Sequence, residues 1–226
     1  MFTSGTLQLI AIITMLIDHI GFFLCGDNLV MRLIGRFAMP LFCFMLAEGF
    51  LHTKGKRWAY FGRLVAFAFI SQLPYDLLHQ PSLTVMPSLN VMFTLATGFA
   101  AMAIIESGSW SMICLPILFV VAEYFHMDYG AYGVAMVVGF YLSSKLFKKK
   151  KYQIWRWAAY TALLFVSTAI YVTTERKPVQ LFAITAIIPI ILYNGKLGRR
   201  LPKWFGYIFY PAHLMIIYLI SDLVLL

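Results

Sequence analysis

Acidic side chains are scarce in this 226-residue chain: 9 Asp and Glu face 18 Lys and Arg, and charged residues make up 12% of the sequence. Soluble domains carry about 25% charge, so that figure beside 62% hydrophobic residues excludes an ordinary soluble domain. Cysteine is nearly missing as well. Cys25, Cys43 and Cys114 offer neither an even set for disulfides nor metal-ligand spacing. There is no HExxH, no CxxC and no glycine-rich phosphate loop, so no metal site is expected. Ser71 and Ser111 lack the flanking glycines of a hydrolase nucleophile. No internal repeat suggests a transporter built from two related halves.

Long apolar runs dominate instead. Strands of a membrane barrel show alternation over about 10 residues, and these runs are longer and do not alternate. A chain in lipid must satisfy its own backbone groups, so the expected fold is all-α, a polytopic transmembrane helix bundle. With about 20 residues per crossing, about nine spans fall near 7–24, 33–51, 60–75, 90–106, 110–123, 130–147, 157–173, 179–193 and 205–223. The 110–123 and 179–193 segments are short, and Pro116 and Pro189 would let one be broken or re-entrant. Residues 1–226 read as a single domain. The first run lacks a basic leader and a small-residue cleavage site, so it is expected to stay as a span.

The net charge of +9 is concentrated. Outside Arg32, Arg36, Arg176 and Lys177, every Lys and Arg lies between 54 and 63, between 145 and 156, or between 196 and 203. With the N-terminus in the cytoplasm, nine crossings put all three basic loops inside and the C-terminus outside. Asp27, Asp76, Asp128 and Glu175 then fall outside, and Trp58, Trp155, Trp157 and Trp204 flank the inner loops. That pattern explains the charge by the bilayer and leaves no role for nucleic acid. Lys148–Lys151 read as a solvated topology signal.

Asp18-His19 sits inside the first run, and ionisable residues at such depth mark candidate functional sites. The second run carries Arg32 and Arg36, four apart and so on one helix face, then Glu48 and His52 in the same relation. At about 1.5 Å of rise per residue, His19 and Arg36 lie roughly 18 and 22 Å from the inner ends of their spans. Adjacent antiparallel helices would bring them to one depth, giving a deep cluster of Asp18, His19, Arg32 and Arg36. Glu48, His52 and Arg63 would form a shallower one. Asp18 and His19 point about 100° apart, so Asp18 is expected to pair with Arg36 and His19 to project into a cavity. The last run holds Tyr210-Pro211-Ala-His213; Pro211 should kink its helix, and His213 reads either as a packing histidine or as a site residue in the inner half. Gln72, Pro74 and Asn90 read as interhelical glue.

Three stretches carry a resemblance. Ala11 to Gly21 with Asp18-His19, Arg32-x-x-Gly35-Arg36-x-x-x-Pro40-x-Phe42-x-Phe44 with Glu48-Gly49-Phe50-x-His52-Thr53, and Tyr210-Pro211-x-His213-Leu214 resemble the TraX family. The likeness runs over essentially the whole chain and is most specific in its N-terminal third. It implies a bacterial cytoplasmic-membrane protein whose family's founding activity is acetylation of the N-terminus of conjugative pilin. It also implies kinship with membrane acyltransferases that modify sugars. There a first-span histidine, matched here by His19, and an arginine motif, matched by Arg36-Phe-Ala-Met-Pro40, work with cytosolic acyl-CoA. Position 8, basic in many of those enzymes, is Gln8 here.

The implied activity is transfer of an acetyl group from acetyl-CoA to an amine or hydroxyl of a peptide or saccharide acceptor. His19, Asp18, Arg36 and Arg32 are its candidate catalytic residues. His19 would act as base or acyl carrier, and the arginines would stabilise the oxyanion or hold Asp18. Arg63, Lys54, Lys56, Arg57, Glu48, His52 and His213 are the candidate donor-binding residues. Two readings compete: a small transporter or proton-coupled permease using Asp18 and His19 as a relay, and a non-catalytic membrane scaffold with buried ion pairs.

Overall fold

The computed structural model describes residues 1–53, 55–79, 88–108, 110–199 and 201–225, with only the backbone of Lys203, Val224 and Leu225. Every named element among them is helical. In chain order these are α1 (Ser4–Phe23), α2 (Leu29–Gly35), α3 (Ala38–His52), α4 (Arg57–His79), α5 (Val91–Ser107), α6 (Leu115–Tyr124), α7 (Gly130–Leu146), α8 (Gln153–Glu175), α9 (Ile187–Ile191) and α10 (Lys203–Leu225). Short 3₁₀ stretches at Trp110–Cys114, Lys150–Tyr152 and Pro178–Ala186 lead into α6, α8 and α9. Four stretches, Ser4–Phe23, Leu29–His52, Lys150–Glu175 and Trp204–Leu223, are long and apolar enough to cross a membrane. Val91–Ser107, Trp110–Tyr124 and Pro178–Ile191 are apolar but shorter. The protein is an all-helical membrane protein.

The helices α3 and α7 form the centre. α3 packs on α1, α5 and α7, and α7 also meets α6 and α8. A helix apolar on every side belongs in the interior, and α3 buries Met39, Leu41, Cys43, Phe44, Ala47 and Phe50 around its circumference. Around this centre α1 packs on α10, α10 on α4, α4 on α5, and α8 on the Pro178–Ala186 stretch. Phe44 meets the rings of Phe140, Tyr160 and Tyr193 edge-on, and Phe50 meets Phe99 and Tyr141 likewise. Such pairs add about 0.5–1.5 kcal/mol each beyond area burial.

The first three helices set the site. Gly26 and Asp27 take positive φ in the tight turn after α1, and the Asn28 carboxamide caps α2 by accepting from the Met31 N–H at 3.2 Å. α2 then folds back against α1 at two glycines. A Cβ on Gly21 would lie 2.5 Å from the Met31 Cβ, and one on Gly35 would lie 2.1 Å from an Asp18 carboxylate oxygen. The sequence predicts one helix through this second run, but it breaks between Gly35 and Ala38. Pro40 explains the break, because its ring crowds the carbonyl of Arg36 and supplies no N–H to it. The Arg36 N–H turns to Leu33 and Ile34, and its Nε–H donates instead to the freed Arg32 carbonyl at 3.2 Å.

The segment marked short and proline-bearing, 179–193, is irregular as expected: a 3₁₀ stretch through Ala186 precedes one brief helix, α9. In lipid, backbone of this kind is tolerated where it is buried in protein or lines a cavity. Gln180, on this stretch, is 1% exposed.

The close approach at Gly35 predicts a sharp contrast. Gly35→Ala must displace Asp18, and overpacking of this kind costs about 1–3 kcal/mol. Gly62 has no neighbour within 4 Å of an added Cβ, so Gly62→Ala should leave thermal unfolding in detergent unchanged or slightly raised, while Gly35→Ala lowers it.

Candidate active site

Asp18 lies beneath Gly35, and two guanidiniums close on it. Arg32 Nη1 donates to its Oδ2 at 2.7 Å, and Arg36 Nη2 donates to its Oδ1. The side chains of Asp18 and Arg36 are 10% exposed and that of Arg32 is 23% exposed. Asp18 thus binds both arginines, where the sequence predicts Arg36 alone. Arg32 also reaches Asp27 at 3.2 Å and stacks on Phe22 at 4.6 Å. Arg36 Nη1 donates to Gln180 Oε1 at 3.1 Å and to the Tyr129 hydroxyl at 3.3 Å. Gln180 Nε2 donates onward to Tyr132 at 3.2 Å. Two carboxylates thus face the two guanidiniums, and Asp18 is the one that both share.

His19 is not free in the cavity as the sequence predicts: its Nδ1 lies 2.7 Å from His213 Nε2. The hydrogen bonds fix the tautomers. His213 Nδ1 faces the Phe209 carbonyl at 2.8 Å, and a carbonyl only accepts, so this nitrogen carries the proton. Neutral His213 then has a bare Nε2, which accepts from His19 Nδ1–H. The lone pair of His19 is therefore on Nε2, which has no hydrogen-bond partner among the described residues. Pro211 lies inside α10 two positions before His213, and α10 packs beside α1, which places His213 in this cluster and not with the basic loops. No hydrogen bond joins Asp18 to His19 among the described residues.

Asp18, His19, Arg32 and Arg36 all line one hollow of about 360 Å³, together with His79, Asp128 and Tyr129. His79 Nδ1–H donates to the Tyr75 carbonyl at 3.0 Å, and its ring stacks on Tyr75. Asp128 stands in the turn between α6 and α7. Enclosure among low-polarity groups pushes its carboxyl up to about 6, against the pull of Arg36 and Lys177.

A family model described as TraX protein matches residues 3–221. The chain belongs to the TraX family. Among curated relatives, the chain is 28% identical over 233 aligned residues to a probable fimbrial assembly protein, FimC of serogroup H1, from Dichelobacter nodosus. That match covers 96% of this chain and 94% of the relative. It is 30% identical over 142 residues to an uncharacterised protein of Rickettsia prowazekii (strain Madrid E), covering 59% of this chain and 53% of the relative. No solved structure matches the chain.

In this TraX-family chain the expected donor-binding residues do not form one cluster. Lys54 lies outside the described residues, and Lys56 is exposed. His52 is exposed and its Nδ1–H donates to the Glu48 carbonyl at 2.8 Å. The Glu48 carboxylate accepts instead from Ser144 at 3.1 Å. Arg63 stacks over Tyr60 at 5.5 Å and bonds to Tyr207, so the predicted Glu48–His52–Arg63 group is not assembled. Arg57 lies over the Phe50 ring at 4.0 Å, with Nη2 3.6 Å from Glu106. Glu106 also takes Lys145 at 2.8 Å and the Tyr141 hydroxyl. The Nε atoms of Arg57 and Arg156 are buried without a hydrogen-bond partner among the described residues.

Sequence reasoning missed Gln180, Tyr129 and His79. Gln180 left a usable signal, as an uncharged polar residue in a proline-broken apolar run. Tyr129 left none, because it reaches Arg36 across 93 positions.

Two measurements follow. Arg36→Met leaves Asp18 with Arg32 alone and strands the buried Gln180 carboxamide oxygen, and losing a hydrogen bond to a charged group costs about 1.5–3 kcal/mol. Thermal unfolding should therefore fall further for Arg36→Met than for the more exposed Arg32→Met. Asp128 binds its proton more tightly folded than unfolded, so the folded state gains stability as pH falls from about 6 toward 4. Relative to Asp128→Asn, the wild type should lose unfolding temperature as pH rises through that window.

Proposed function

We propose that this protein is a membrane-embedded acyltransferase that transfers an acetyl group from acetyl-CoA to an amine or hydroxyl of a peptide or saccharide acceptor. The observation that carries this reading is His19 Nε2, left basic by the His213 hydrogen bond and lining one hollow with Arg36. An imidazole so oriented is a general base for an acceptor nucleophile. His213 is a positioning residue that holds the tautomer. The Arg32 and Arg36 guanidiniums lining the hollow favour the negative charge that develops on an acyl oxygen during transfer. Asp18 holds the two guanidiniums apart and oriented.

Acetyl-CoA, when bound, supplies an activated acyl thioester. Its anionic nucleotide suits the basic end of the bundle, where Arg57 keeps a buried N–H without a partner among the described residues and Lys56 and Arg63 stand nearby in the chain. His19 is about 20 Å of helix rise from that end, so the donor has to reach it through an extended arm. The positive-inside rule puts the basic end in the cytoplasm of a bacterial cell membrane. Nine crossings then leave the N-terminus inside, the C-terminus outside, and the His19 hollow in the outer half. The relative named as a probable fimbrial assembly protein makes a component of a surface appendage a natural acceptor. The transporter reading needs Asp18 and His19 as partners in a relay, but Asp18 is taken by both arginines.

The test is release of free CoA from labelled acetyl-CoA by purified protein offered small amine and hydroxyl acceptors. His19→Ala should cut turnover by about 10²-fold or more, the usual worth of a general base. His213→Phe should lower kcat about tenfold or more with the KM for acetyl-CoA unchanged. Full turnover by His19→Ala would end this reading.

A further inference from the structure

A second and larger hollow, of about 650 Å³, adjoins the first. The two share Tyr75, Asp128, Tyr129, Tyr171 and Lys177. Its walls come from the turn before α7, the first turns of α7 and the last turns of α8. It therefore opens at the end of the bundle opposite the basic loops.

The turn that carries Asp128 is fixed at nearly every backbone group. Asp128 N–H donates to the Leu89 carbonyl at 2.7 Å, and Thr94 Oγ1–H donates to the Asp128 carbonyl. Gly130 N–H donates to Met127 at 2.7 Å, and Ala131 N–H donates to the Glu123 carboxylate at 2.7 Å. His126 and Tyr129 are held at φ 46° and 65°, a left-handed conformation that costs a residue with a side chain free energy and clusters at ligand clamps. Yet the Asp128 carboxylate has no ion pair and no side-chain hydrogen bond among the described residues; its recorded bond is to the Tyr129 backbone. It faces the junction between the hollows, which Tyr75, Tyr129 and Tyr171 also line. Tyr129 and Tyr171 are stacked, and Tyr171 packs on Tyr132 at 4.6 Å.

A carboxylate that no cation reaches in an ion pair, with Arg36 and Lys177 acting on it only from a distance, and that is framed by electron-rich rings, is a receptor for an ammonium group. A neutral sugar would gain nothing from the charge. The size of the hollow exceeds what one amino group needs, so the group belongs to the end of a larger molecule.

We propose that the outer hollow is the acceptor's entry and binding subsite, and that Asp128 is the specificity-determining residue that holds the acceptor's amino group at the junction beside His19. This rests on the acyltransferase reading for its purpose, but the binding is measured without turnover.

Ser167, on the wall of the larger hollow, is the reporter. Ser167→Cys is made in a chain carrying Cys25→Ser and Cys114→Ser and treated with a membrane-impermeant maleimide. Right-side-out vesicles should label and inverted vesicles should not. Glycinamide at about four times its Kd should slow labelling about fivefold, the factor 1 + [L]/Kd. Glycolamide, its hydroxyl counterpart, should not. Asp128→Asn should abolish the protection and Asp128→Glu should keep it, which separates charge from folding. Labelling from the inverted side alone, equal protection by both amides, or protection surviving Asp128→Asn would overturn the proposal. Selective, Asp128-dependent protection without any CoA release would uphold the subsite and remove the acyltransferase reading instead.

Discussion

A carboxylate at depth in a membrane protein is held only if cations meet it there, and Asp18 is met by two. The rest of the N-terminal architecture follows from that requirement. Arg32 and Arg36 reach one carboxylate because α2 lies almost in van der Waals overlap with α1, and only glycine at positions 21 and 35 permits it. The helix must then stop. Pro40 crowds the Arg36 carbonyl, the Arg36 N–H turns away from the Arg32 carbonyl, Arg36 Nε–H fills that vacancy, and the same guanidinium keeps its other nitrogens for Asp18, Gln180 and Tyr129. Backbone break, ion pair and hollow are one device. Buried ion pairs seldom add net stability against an apolar replacement, so this one is better understood as a means of placing positive charge.

That placement has a chemical consequence. Three irregular pieces of chain converge on the hollow: the α2–α3 break, the proline-containing α10, and the 3₁₀ stretch carrying Gln180. The break frees the Arg32 carbonyl for Arg36 Nε–H, and Gln180 on the 3₁₀ stretch is buried against Arg36, as the bilayer requires of irregular backbone. The Phe209 carbonyl passes orientation through His213 to His19, and the Arg32 and Arg36 guanidiniums line the same hollow. In the proposed acyl transfer, base and oxyanion stabiliser would both be set before any substrate arrives, the arrangement such a reaction rewards.

The two ends of the bundle differ in kind. At the basic end, Arg57 and Lys145 are drawn onto Glu106 and Tyr141 while other cations stay exposed. At the opposite end, tyrosines and carboxylates line hollows that run together at Asp128. An anionic donor and a cationic acceptor would be sorted to opposite faces by charge alone.

The helical class, four of the nine expected spans and the Asp18–arginine pairing were legible in the chain, because apolar run length and an i, i+4 arginine pair constrain lipid-embedded backbone strongly. Glycine and proline in Arg32-x-x-Gly35-Arg36-x-x-x-Pro40 also hinted at the close approach and the break, though the break itself was not anticipated. The expected Glu48–His52–Arg63 cluster did not assemble, since closeness in sequence and similar depth do not decide which helix faces turn together: Arg63 went to Tyr207, and Glu48 to Ser144. His213 joined His19 across 194 positions, and Tyr129 and Gln180 joined Arg36 from a turn and a 3₁₀ stretch far apart in the chain. The sequence alone determined where polarity had to be buried, because lipid forbids it elsewhere. Only the tertiary structure decided which polar groups met, because that depends on helix rotation and on irregular turns whose side-chain directions no periodicity encodes.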